Sequence, residues 1–186
     1  MNYLSTVFIA IVFASALHAQ TRSNESIEQQ LKSLRSEAVT LSYDTGSNVT
    51  TIRAVADNFS NDEAKRAGIR AMNFAAGALY SGKAIERPLD PVQWSFWVLT
   101  AKPRFGEDHS LTIFAGAETF QLGDARYVFR ARDGMEYLNF NLTREQLKQI
   151  AANSGVKLLL GQKEFNLTKS QLKLLADLYL ITEISK

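Results

Sequence analysis

The chain contains no cysteine. Disulfides, thiolate zinc sites, thiol nucleophiles and lipid attachment at a cysteine are all closed to it. Small secreted domains of animals lean on disulfides, so a cysteine-free exported chain of this size fits a bacterial periplasmic protein that is stable through its core alone. Three prolines and ten glycines are too scattered to form a linker, and no low-complexity tract is present, which favours one domain. Charge of one sign is also missing: 21 Lys and Arg stand against 19 Asp and Glu, for a net charge of +2. That balance is too mild to argue for nucleic acid. No polybasic run points to a membrane surface.

The front of the chain carries the strongest signal. Residues 1–20, MNYLSTVFIAIVFASALHAQ, hold no charged side chain, an apolar run from Val7 to Phe13, and small residues before Gln20. This pattern predicts a secretory signal peptide. Ala14-Ser15-Ala16 and Leu17-His18-Ala19 compete as the cleavage signal; the second is favoured, which cuts after Ala19. The competing reading is an uncleaved anchor. Against it, the apolar core is shorter than the roughly 20 residues a spanning helix needs, and Ser5, Thr6 and Ser15 shorten it further. After Ala19 no apolar stretch approaches spanning length, so no transmembrane segment is expected in the mature chain. Residues 20–186 then form a single secreted domain, long enough for a sizeable core.

An internal echo follows. Residues 140–151 read FNLTREQLKQIA and residues 165–176 read FNLTKSQLKLLA, 25 positions apart (140 to 165). Thr143 with Gln146, and Thr168 with Gln171, fit capping boxes: the hydroxyl accepts an early amide and the side chain three residues on reaches back. Leu147, Ile150 and Ala151 share one helix face, as do Leu172, Leu175 and Ala176. The unit is strand end, cap, helix, used twice for a structural purpose. Two copies are too few for a solenoid.

The remaining pattern mixes α and β. Ile27, Leu31 and Leu34 are spaced as a short amphipathic helix. Val39, Leu41 and Tyr43 alternate, residues 44–48 make a turn, and residues 49–56 are rich in β-branched side chains, which predicts a hairpin. Ser60 with Glu63 predicts a helix start and Gly82 its stop. The small residues between them, among them Ala67, Gly68, Ala71, Ala75 and Gly77, let another backbone come close. Pro88 and Pro91 punctuate a loop. Strands are expected over 92–101, 110–120, 126–132 and 136–142. A tight hairpin over 156–167, turning at Gly161-Gln162, feeds a final helix too apolar to be left in water. Trp97 and Leu175 are core candidates, although strict alternation in the strand carrying both tryptophans turns Trp94 or Trp97 outward.

Three segments carry a resemblance: WSFWVLT (94–100), MEYLNFNLT (135–143) and VKLLLGQKEFNLTKSQLKLLADL (156–178). Over about residues 91–184 the chain resembles small secreted bacterial domains of unknown function. The resemblance implies an antiparallel β-sandwich with a helix packed on it. It implies no activity.

Catalytic signals are few. The only histidine after residue 20 is His109, in Gly-Glu-Asp-His-Ser (106–110). Neighbouring Ser, Asp and His cannot align as nucleophile, base and orienter. Glu107, Asp108 and His109 make a weak ligand set with one imidazole and no thiol. No GxSxG, HExxH, P-loop or GxGxxG after a strand is present. Asp44-Thr45-Gly46 is similar to the aspartic protease loop, but it occurs once and sits in a hairpin turn. Hence no catalytic residue, metal or cofactor is assigned. Five sequons, at Asn24, Asn48, Asn58, Asn141 and Asn166, have no role in a bacterial reading.

One binding signal remains. Arg126, Val128, Arg130 and Arg132 share a face if 126–132 is a strand, with Tyr127, Phe129 and Ala131 opposite. Three guanidinium groups on one face suit a carboxylate, a phosphate or an acidic partner. The sequence therefore predicts an α+β protein, an antiparallel β-sandwich-like sheet with flanking helices. Its expected role is a secreted or periplasmic, non-catalytic binding or accessory module, with Arg126, Arg130 and Arg132 as ligand-binding residues. The expected partner is an anionic ligand or an envelope protein. An unrecognised cell-envelope hydrolase and a structural or assembly protein of the envelope are the alternatives. Fold alone does not choose among them.

Overall fold

The computed structural model describes residues 38–83 and 90–182, together with Gln29 and Lys32. The signal peptide, the helix expected around Leu31, the sequon at Asn24 and Pro88 lie outside the described residues.

In chain order the elements are β1 (Val39–Asp44), β2 (Val49–Val55), α1 (Asn61–Ala67), β3 (Ala71–Ser81), β4 (Val92–Leu99), β5 (Ser110–Ala115), β6 (Glu118–Asp124), β7 (Arg126–Arg130), β8 (Met135–Leu142), α2 (Arg144–Ala151), β9 (Val156–Leu160), β10 (Lys163–Asn166) and α3 (Lys169–Thr182). The fold is α+β. A six-stranded sheet runs in the order β1-β2-β3-β4-β8-β7, and a four-stranded sheet in the order β10-β9-β5-β6. Every pairing is antiparallel. Each strand of the large sheet turns alternate residues to one inner face. That face joins the four-stranded sheet and the helices in one core, centred on Phe74, Trp94, Phe96, Ile113, Leu138, Leu158 and Leu175. Helix α3 lies along β1, β2 and β3 and packs on α2.

Both capping boxes form. Thr143 Oγ1 accepts from the Gln146 amide (3.1 Å) while Gln146 Oε1 accepts from the Thr143 amide (2.8 Å). The Thr168–Gln171 pair repeats this at 3.2 and 2.9 Å. The second unit is also tied to the N-terminal half: Glu63 Oε1 accepts from the Asn166 amide and side chain, and Gln171 Nε2 donates to the Asp57 carbonyl.

Four expectations are corrected. The helix that opens at Ser60, whose hydroxyl accepts from the Glu63 amide, ends at Ala67 rather than at Gly82. Gly68 adopts the left-handed conformation (φ 70°) and closes it, a position that costs glycine little. The small-residue stretch beyond is β3. In it Met72, Phe74, Ala76 and Tyr80 are buried on one side, so a period of two decides against the helical preference of alanine. Residues 110–120 are two strands, β5 and β6, joined at Gly116 and Ala117; Gly116, at φ 64°, supplies the turn. Strand β7 stops at Arg130, so Arg132 falls in the turn over residues 131–134. Finally, Trp94 is the fully buried tryptophan, and Trp97 is half-buried on the opposite face.

Candidate functional site

Register assembles the outer face of the large sheet. Arg53 pairs with Gly77, Gly77 with Gln93 and Gln93 with Asn141. The neighbouring row runs Val55, Ala75, Ser95, Asn139 and Arg126. The next runs Asn73, Trp97, Tyr137 and Val128. Sequence reasoning singled out the arginine edge of this surface and left one tryptophan, Trp94 or Trp97, to face outward.

Polar groups on the face are linked to each other. Ser95 Oγ donates to Asn139 Oδ1 (2.6 Å), and Asn139 Nδ2 donates to the Arg126 carbonyl (3.2 Å). The Arg53 guanidinium lies 4.7 Å from the Trp97 ring centre, and that of Arg130 lies 4.9 Å from Tyr137. Guanidinium planes stack on aromatic rings and keep their N–H edges free for oxygen acceptors. Arg130 spends part of that capacity on Asp133, a neighbour in the turn, and this bond holds its guanidinium above its usual pKa. Neither Arg53 nor Arg126 has a side-chain carboxylate partner among the described residues.

Beside the Arg53–Trp97 pair the face is hollow. A trough of about 140 Å³ runs over β3, floored by Ala75 and Gly77 and edged by Gln93, Ser95 and Leu79. The glycine follows from the backbone. A Cβ at position 77 would stand 2.1 Å from the Ile52 carbonyl oxygen, so β2 leaves no space for a side chain there.

The edge strand β7 is fixed from behind. Tyr127 points inward, and its hydroxyl donates to Glu136 Oε1 (2.9 Å). The same oxygen accepts from the backbone amides of Arg104 (2.7 Å) and Phe105 (3.0 Å). Burial, with the Glu136 hydrogen bond and charge added to it, pushes the Tyr127 phenol well above its ordinary value. His109 stacks on Tyr127, with ring centres 5.3 Å apart. Asp108 turns its carboxylate to the amide and hydroxyl of Ser110. Thus Asp108 and His109 are engaged within their own strand connections, and among the described residues no group of three or more His, Cys, Asp or Glu side chains gathers.

Of the arginines expected to bind, Arg126 and Arg130 share the outer face of β7, and Arg132 is exposed in the following turn. Arg53, Gln93, Ser95, Tyr137 and Asn139 were missed, whereas alternation already required Trp94 or Trp97 to face outward. A signal for them exists in β4, where Gln93, Ser95 and Trp97 alternate with Val92, Trp94, Phe96 and Val98. Which residues face them from β2 and β8 depends on pairing that one strand does not encode. No helix among the described residues is long and apolar enough to cross a membrane. No protein-family model, curated protein or solved structure matches the chain.

Proposed function

We propose that the protein is a non-catalytic binding module, exported to the periplasm or beyond the cell under the direction of residues 1–19, that holds an anionic partner on the outer face of its six-stranded sheet. The supporting observation is the union of Arg53, Arg126 and Arg130 with Trp97 and Tyr137 on one solvent-facing surface. On the described part of that surface the carboxylates are Asp44, at the far end of β1, and Asp133, already joined to Arg130. Cationic groups stacked on aromatic rings with amides between them are suited to capture and offer no nucleophile–base pair.

The test is capture by the immobilised mature protein from envelope extract. Added salt is expected to weaken capture, because exposed charges are screened over about 10 Å at 0.1 M. Replacing Arg130 by Glu (Arg130→Glu) is expected to weaken capture with the melting temperature nearly unchanged, since exposed ion pairs contribute little to stability. Salt-insensitive capture that this variant retains in full overturns the reading.

A further inference from the structure

We infer that the trough over β3 is a binding site for a small carboxylic acid with an apolar body, a proposal that rests on reading the outer face as the binding face. Three observations converge on this class. The floor and one end are apolar: Ala75 and Gly77 lie beneath, and Leu79 is 68% exposed at the edge. A large aliphatic side chain left so open, beside a hollow and on the same face as an indole, offers contact area that no described residue uses. The volume, about 140 Å³ in a trough that is open to solvent, is of the same order as an enclosed apolar cavity of about 150 Å³ that admits benzene. One aromatic ring or a short acyl chain is therefore the right size. Lastly, the wall carries one cation. Arg53 lies over Trp97 and has no side-chain carboxylate partner among the described residues. Stacking leaves its N–H edges clear for a carboxylate, which it can hold bidentately, and the Gln93 amide borders the far side, where the Ser95 hydroxyl is already donated to Asn139.

Other anions fit less well. Inorganic phosphate has charge and no apolar body, and would leave Ala75, Leu79 and the indole edge unused. A polymeric acid would extend across the face and draw on Arg126 and Arg130 as much as on Arg53.

The experiment is a titration of the mature protein with phenylacetate, read by tryptophan fluorescence. Trp97 borders the trough and Trp94 is sealed in the core, so the signal is expected to vanish in Trp97→Phe. The expected result is saturable binding with a Kd near about 1 mM or tighter, and binding weaker by about tenfold or more for neutral phenylacetamide, for phosphate and for phenylacetate on Arg53→Gln. Leu79→Ser is expected to weaken phenylacetate binding, and retention of the wild-type melting temperature in both variants shows that folding is not the cause. Equal binding of phenylacetamide, phosphate binding as tight as phenylacetate, an unaffected Arg53→Gln protein, or no saturation by about 10 mM overturns the site. Failure here with salt-sensitive, Arg130-dependent capture removes the trough and leaves the binding face standing. Phenylacetate binding together with salt-insensitive capture that Arg130→Glu retains in full keeps the trough and removes the arginine edge from the binding face.

Discussion

Trp94 and Trp97 stand three residues apart on β4 and live in different solvents. Trp94 is fully buried and meets Phe74 edge-on at 5.2 Å and Phe96 at 5.1 Å; Phe96 in turn meets Phe140 at 6.0 Å. Trp97 lies among Arg53, Asn73, Ser95 and Tyr137, under a guanidinium rather than against a ring. The same contrast runs through the whole sheet. Its inner face is a continuous aromatic and aliphatic core, closed by α3 and the second sheet. Its outer face keeps aromatic rings but surrounds them with groups that hydrogen-bond. Burial accounts for aromatic residues on the inner side. On the outer side burial is incomplete, and the rings there meet guanidinium groups instead of a core.

The largest expected effect separates the two tryptophans. Trp94→Ala is expected to destabilise by about 3–5 kcal/mol, the usual cost of an aromatic-to-alanine change in a core. Trp97→Ala is expected to cost about 1–2 kcal/mol, since it loses a half-exposed ring and one cation–π contact. Chemical denaturation of both variants measures the gap. Equal losses would mean that the outer face is a second core surface.

Gly77→Ala is the next largest, and it sits on the outer face. A methyl group 2.1 Å from the Ile52 carbonyl oxygen has to displace β2 from β3, so a loss of about 1–3 kcal/mol is expected, as for overpacked sites. The comparison predicts that this is a backbone effect and that Ala75→Gly nearby is milder. A neutral Gly77→Ala would show that the two strands can part without cost.

How much of this contrast was written in the sequence follows from range. The hairpin of β1 and β2, both capping boxes and the β9–β10 hairpin were legible, because each is decided within one short contiguous stretch by alternation, turn residues or cap spacing. Strand β3 was not. Alanine and glycine carry little β preference, and its strand state comes from β2 and β4 on either side. The Arg126 and Arg130 edge was legible as alternation along one strand. The end of β7 before Arg132 was not, since Gly134 and the Arg130–Asp133 pair shape a turn that alternation does not report. The trough needed three strands in register, and sequence gave no means of aligning Arg53 with Trp97.

The caps refine the inner side. Thr143→Ala and Thr168→Ala are each expected to cost about 1 kcal/mol, as for other lost side-chain N-caps. Helix α3 lies directly on β1, β2 and β3 while α2 reaches the sheet less extensively. Thr168→Ala is therefore expected to be the costlier, and denaturation midpoints of the two variants give the order. Unchanged midpoints in both would remove the caps from the account of how the inner face is closed.

The smallest effects belong to the arginines of the outer face. Arg53→Ala removes a cation–π contact at an exposed site, a loss of about 0.5–1 kcal/mol. Arg126→Ala removes a side chain with no described carboxylate partner and is expected to change stability by less than about 0.5 kcal/mol, the usual range for surface substitutions. A double-mutant cycle between Arg53 and Trp97 isolates the stacking energy from the other losses. Its coupling is expected near the Arg53→Ala value itself, because the ring is the one described contact that the guanidinium makes. If Arg53→Ala instead costs about 2 kcal/mol or more, comparable to a core truncation, then Arg53 holds the sheet together and the outer face is structural. A small cost leaves Arg53 over Trp97 with a free N–H edge and little part in folding, which is the condition a binding face requires.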